Sequence, residues 1–197
     1  MNTRADRASE TRYRIERAAI KHFVEQGIGE TTIRDIAKTA AVSLGAMYNH
    51  YDSKEDLAFN IFRQGFEDAG RRLRKCAEAQ TTLPNKLRDM IRFAFSRFDE
   101  DPLLLTYVFT SRHIHLGHRR LGRLADSPNN PYAVFRVVIA DAMARKEIPN
   151  TDPDLAASLV TGAVIQAIDS CILGRLKGKM IKRADETAAM CFRLLKG

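Results

Sequence analysis

The chain has 197 residues, 45 % hydrophobic and 28 % charged, the composition of an ordinary globular protein long enough to bury a core. Its opening run, MNTRADRASETRYRIER, lacks the apolar centre of a secretion signal, and the longest uncharged apolar stretch, 155–168, is too short for a bilayer, so a cytoplasmic location without membrane contact is expected. The formal net charge of +8 suggests an acidic partner, yet residues 1–60 carry nine basic and nine acidic side chains, so the excess lies beyond them.

Residues 11–26 place Ile15, Ala18, Ala19 and Phe23 at helical spacing, with Gly27 as a stop. Thr31 or Thr32 caps a second helix whose Ile33, Ile36, Ala37 and Ala40 recur at i, i+3, i+4 and i+7. After a break at Ala41-Val42, Ser43 caps a third helix through His50. Ser53, with Asp56 three positions on, opens a fourth that continues through residue 79. The run QTTLPN (80–85) marks a boundary, and further helices are expected over 86–98, 103–112, 132–146, 154–176 and 183–195. No strand-period alternation or repeat is present, which predicts an all-α fold of about nine helices. The expected domains are a head, 1–58, with a connecting helix 54–80, and a second domain, 81–197.

Two short helices joined by a tight turn and preceded by a third form a helix-turn-helix. Met47 and Tyr51 point inward in this reading, leaving Leu44, Gly45, Ala46, Tyr48, Asn49 and His50 for the outer face. Small residues let a backbone approach base edges in the major groove, Leu44 and Ala46 suit thymine methyls, and Asn49 suits an adenine edge. This face is almost uncharged, so phosphate grip is assigned to its rim. The helix starts at Thr32, Ser43 and Ser53-Lys54 offer amide groups, and Arg34 and Lys54 offer full charges.

The stretch GIGETTIRDIAKTAAVSLGAMYNHYDSKEDL resembles the N-terminal domain of the TetR family of bacterial transcriptional regulators, over roughly residues 11–58. That resemblance implies DNA contacts from Thr32, Ser43, Gly45, Tyr48, His50 and Lys54. Leu44 stands where Lys or Arg is frequent in the family, and Tyr51 where Phe is usual. The resemblance also implies a homodimer on a pseudo-palindromic double-stranded operator and a small-molecule effector held among the C-terminal helices.

Helix 154–176 is apolar nearly all round and needs cover on every side. With the last helix it supplies a candidate dimer interface: Leu155, Leu159, Gly162, Ala163, Ala184, Ala188, Cys191 and Leu195. Candidate effector-lining residues are Phe93, Tyr107, Phe109, Phe135, Gln166 and Asp169. His113, His115 and His118 lie close together, but the spacing of His113 and His115 puts those two on different helix faces, no cysteine is near, and no metal or other cofactor is expected. Cys76, Cys171 and Cys191 form no CxxC pair and read as reduced fillers. No nucleophile-elbow, P-loop, dinucleotide or HExxH pattern occurs, so catalysis is not expected. The sequence therefore predicts a ligand-responsive DNA-binding repressor. The alternative is a helical small-molecule carrier or partner-binding protein that has lost specific DNA recognition.

Overall fold

The computed structural model describes residues 4–111, 124 and 127–197. His113, His115 and His118, with the neighbouring Arg119, Arg120 and Arg123, lie outside the described residues. Among those described there are nine α-helices, one 3₁₀ turn and no strand, as the sequence periodicity predicts. The helices gather into two compact units: residues 4–64 with 106–111, and residues 65–105 with 127–197.

In the first unit, α1 (Arg4–Glu30) starts earlier than expected and is broken near its end by Gly27, whose φ of 83° only glycine adopts freely. The Thr31 hydroxyl closes this break by donating to the Gly27 carbonyl at 2.7 Å. Helices α2 (Ile33–Ala40) and α3 (Leu44–Tyr48) follow, and then α4 (Lys54–Glu78), which runs on into the second unit. Ile15, Ala19, Ile36, Met47, Leu57 and Phe62 form the centre of this unit, each with no exposed surface.

Helix α6 (Pro102–Ser111) contributes to the same core. The Tyr107 hydroxyl donates to the Ala58 carbonyl at 2.7 Å, and its ring stacks on Phe23 with centroids 5.6 Å apart. Burial pushes the phenol above its ordinary pKa and keeps it a neutral donor. The sequence reading drew the second domain as 81–197 and so missed this join. An apolar helix segment carries no label saying which core it fills.

In the second unit, α5 (Leu83–Glu100) starts three residues before the predicted position, because Pro84 is tolerated in a first turn and the Leu83 amide donates to the Glu147 carboxylate at 2.7 Å. Asn130 caps α7 (Pro131–Ala144) and Asp152 caps α8 (Pro153–Ile172). Helix α8 ends short of 176, in a turn where Gly174 takes a φ of 71°. The 3₁₀ turn Met180–Arg183 starts where the amides of Met180 and Ile181 both donate to Asp99, each at 2.9 Å. The final helix, α9 (Ala184–Lys196), packs chiefly on α5, while α7 packs chiefly on α8. By length and composition α8 is apolar enough to cross a membrane, with a mean hydropathy of 1.6. The sequence reading missed this because it counted only the stretch lying between Asp154 and Asp169.

Gly70 of α4 lies against the turn that precedes α7. A Cβ built on it would stand 1.8 Å from the Asn129 carbonyl oxygen, a backbone atom with little room to retreat. Gly70→Ala is expected to destabilise the fold by about 1–3 kcal/mol despite the better helix propensity of alanine, the usual cost of overpacking. Denaturant midpoints for the two proteins check it; a more stable variant would mean that the turn yields freely.

Candidate nucleic-acid interface

Helix α2 ends where Ala41 takes a left-handed conformation, φ 52° and ψ 50°, and the Val42 amide donates back to the Ala37 carbonyl at 3.0 Å. This closure turns the chain sharply into α3. Ser43 caps that helix, its Oγ accepting from the Ala46 amide at 3.1 Å. Met47 is fully buried and Tyr51 nearly so, which fixes the roll of α3 about its axis.

The opposite face is open. Ser43, Leu44, Gly45, Tyr48 and Asn49 are exposed, with 41 % of Leu44 and 57 % of Tyr48 in contact with solvent. Ala46 and His50 are half-buried at its edges, and Arg34 is exposed on α2. A Cβ on Gly45 would meet only Ser43 Oγ, at 3.9 Å. Packing within the head therefore does not require glycine there. A smooth backbone at that point suits the close approach of an outside surface.

Two residues expected to anchor phosphate are engaged inside the head. The Thr32 hydroxyl accepts from the Asp35 amide at 3.2 Å and donates to the Asp35 carboxylate at 2.6 Å, and that carboxylate also accepts from the Thr32 amide at 3.2 Å. An in-chain anion thus occupies the start of α2, where a phosphate was expected. The sequence reading missed it by leaving Asp35 out of the cap. The Lys54 ammonium donates to the carbonyls of Gly29 and Thr31, at 2.7 and 2.8 Å, and so closes the end of α1.

Tyr51 is also more than a space-filler. Its hydroxyl donates to Glu16 Oε1 at 2.6 Å, and Arg12 Nε donates to the same oxygen at 2.9 Å. The chain Arg12–Glu16–Tyr51 ties α1 to the end of α3. Nothing in the helical periodicity of α1 singled out this pair.

The candidate effector residues are divided between the two units. Tyr107 belongs to the core of the first unit, with its hydroxyl satisfied there, and Phe109 belongs to the same unit. In the second unit Phe135 is buried, Phe93 and Asp169 are half-buried, and Gln166 is exposed on α8. The Tyr107 hydroxyl is thus engaged in the core of the first unit, and Gln166 is open to solvent.

The candidate dimer residues divide in two. On α8, Leu155, Leu159, Gly162 and Ala163 are exposed, whereas Ala156, Ala157, Val160, Val164 and Ile168 of the opposite face are buried. On α9 the expected stripe is turned inward: Ala184, Ala188, Cys191 and Leu195 are buried within the subunit. Spacing alone identifies an apolar stripe without saying what it packs on. The exposed apolar residues of α9 are Ala189, Met190 and Leu194.

Residues 15–61 match the family described as bacterial regulatory proteins, tetR family. The HTH-type transcriptional repressor KstR2 of Rhodococcus jostii is 48 % identical over 46 residues, which are 23 % of this chain and 22 % of that protein. Over the head the chain is similar to the TetR family. Likeness over the rest of the chain is a likeness of fold. The fatty acid degradation regulator FadR of Bacillus halodurans superposes with a TM-score of 0.80 at 16 % identity, covering 92 % of this chain and 94 % of that one. FadR of Bacillus subtilis, solved in complex with stearoyl-CoA, superposes with a TM-score of 0.76 at 18 % identity, covering 91 % and 97 %. Beyond the head, this chain therefore shares with those regulators an arrangement of helices.

Thr32→Ala should destabilise the head by about 0.5–2 kcal/mol, the usual cost of losing such a cap. The Asp35 carboxylate is held below the ordinary aspartate value, chiefly by the Thr32 hydroxyl and then by the Thr32 amide. Its folded-state pKa is depressed, so its contribution is complete above about pH 4, the unfolded value, and fades as pH falls through the lower folded one. Melting of wild type and Asp35→Asn between pH 7 and pH 2 is expected to differ at neutral pH and to converge under acid. A gap unchanged across that range would rule out the ionised cap.

Proposed function

We propose that the protein is a homodimeric transcriptional regulator that reads operator DNA with α3 and releases it when a small molecule binds the second unit. The observation that carries this reading is the division of α3: Met47 is fixed in the core, while Leu44, Gly45, Tyr48 and Asn49 are presented together to solvent. Ser43, Ala46 and His50 border that surface, and Arg34 is exposed on α2. Apolar contact from Leu44 and Ala46 suits thymine methyls, and the Asn49 amide suits an adenine edge.

Paired heads one helical turn apart on a duplex require a dimer. The exposed apolar residues of α8, Leu155, Leu159 and Ala163, with Met190 and Leu194 of α9, suit a second copy of the chain. Gly162 lets two such helices approach closely. A membrane is the other apolar surface that α8 could meet, and the same experiments distinguish the two. Leu159→Glu combined with Met190→Glu should halve the mass seen in sedimentation while leaving the helical spectrum intact. Mass unchanged by these charges, or wild type sedimenting with membranes, would overturn the dimer.

The effector would act by favouring a form whose heads are wrongly spaced for successive grooves. Helix α4 runs from the head into the second unit, which makes it the direct covalent path for such a shift. Stearoyl-CoA, present in the Bacillus subtilis FadR structure, is the first effector to test. Such a regulator acts in the cytoplasm, beside the chromosome.

An operator selected from a randomised duplex library with the whole protein supplies the probe. Tyr48→Ala should weaken binding to it about tenfold or more, within the roughly 1–3 kcal/mol that one good groove contact contributes. If the wild type selects no sequence and its affinity for random duplex DNA does not change with salt, the carrier reading replaces this one.

A further inference from the structure

Two of the residues expected to grip phosphate are engaged elsewhere, Thr32 by Asp35 and Lys54 by the carbonyls of Gly29 and Thr31, which leaves Arg34 as the full charge first assigned to that rim. An uncharged reading helix still needs cations at its edge, because phosphate contacts supply most of the grip on a duplex. Arg12 stands where one is needed. Tyr51 lies three residues beyond the last residue of α3, adjoining His50, and its amide donates to the Met47 carbonyl at 3.0 Å. Its hydroxyl reaches Glu16, and Glu16 reaches Arg12. Arg12 therefore lies one carboxylate away from the end of the reading helix.

Its chemistry fits the position. Glu16 takes the Nε side of the guanidinium at 2.9 Å. The Arg12 side chain is 46 % exposed, against 20 % for Glu16, so the charge faces water while its carboxylate partner is largely covered. An exposed i, i+4 pair on a helix contributes only a few tenths of a kcal/mol. A tyrosine hydroxyl brought across the fold to the same oxygen is more than such a pair needs. It locks the carboxylate, which in turn orients the arginine. Burial, and then the bond to Glu16, raise the phenol well above its ordinary pKa, so Tyr51 remains a donor at every pH the cell meets.

We propose that Arg12 is a backbone-phosphate contact of the head, and that Glu16 and Tyr51 are positioning residues which hold its guanidinium at the edge of α3. This rests on the DNA-binding reading above. It assigns anchoring to α1 and leaves the reading helix free of charge.

Binding is measured by fluorescence anisotropy across a salt series, on the selected operator and on a random duplex. The proteins are wild type, Arg12→Gln, Arg12→Lys, Tyr51→Phe and, as a control for bulk charge, Arg175→Gln in the second unit. Arg12→Gln should weaken both duplexes alike, by about tenfold, the size of one charged hydrogen bond. It should also lower the slope of log affinity against log salt by about 0.9 for each head bound. Arg12→Lys should restore the slope and part of the affinity. Tyr51→Phe should cost severalfold in affinity with the slope unchanged, since the charge stays but its orientation loosens. In the wild type, phenylglyoxal labelling of Arg12 should be blocked by duplex DNA and that of Arg175 should not; this reads the contact without any variant. A wild-type slope in Arg12→Gln, a loss no larger than that of Arg175→Gln, or Arg12 labelling unaffected by DNA would each overturn the proposal. Wild type that binds no duplex at all would instead remove the DNA-binding reading itself.

Discussion

A helix of five residues has no stability of its own, because one turn does not recover the cost of starting it. Helix α3 exists because Met47 is seated in the core, Ser43 holds its first turn and Tyr51 is tied to α1 immediately beyond its last. Its pose is thus borrowed from α1, α2 and α4. This dependence has a use. A segment held only on its inner side leaves its outer side open to solvent. Gly45 illustrates the separation, since the surrounding head leaves room for a larger residue.

The fold and the outline of the reading surface were legible in the sequence because both follow from periodicity and capping. Ile33, Ile36, Ala37 and Ala40 announced α2, and Met47 with Tyr51 set the inward side of α3. What stayed hidden were pairings between residues distant in the chain or sharing one type of signal. The hold of Lys54 on the end of α1 spans more than twenty residues and leaves no local pattern. The Asp35 carboxylate could be read equally as surface charge or as a cap. Arg12–Glu16–Tyr51 joins an ordinary helical ion pair to a residue that looked like a variant aromatic.

The two terminal helices carry the same lesson in packing terms. The spacing of Ala184, Ala188, Cys191 and Leu195 marks a buried stripe, and it is buried, but inside the subunit. Small residues there let α9 lie close upon α5. The outer side of α9 is narrower and mixed, with Met190 and Leu194 among charges such as Glu186 and Arg193. On α8 the outer side sets Leu155, Leu159, Gly162 and Ala163 beside polar Ser158 and Gln166.

Tyr107 sets a limit on how the molecule can be divided. Because α6 sends this side chain into the head, against Phe23 and the Ala58 carbonyl, the recognition module is not a contiguous piece of sequence. A fragment cut after α4 would keep every residue of the helix-turn-helix and still open a hole the size of a phenol ring at its centre. Grafting the head onto another protein would therefore require a surrogate for that ring.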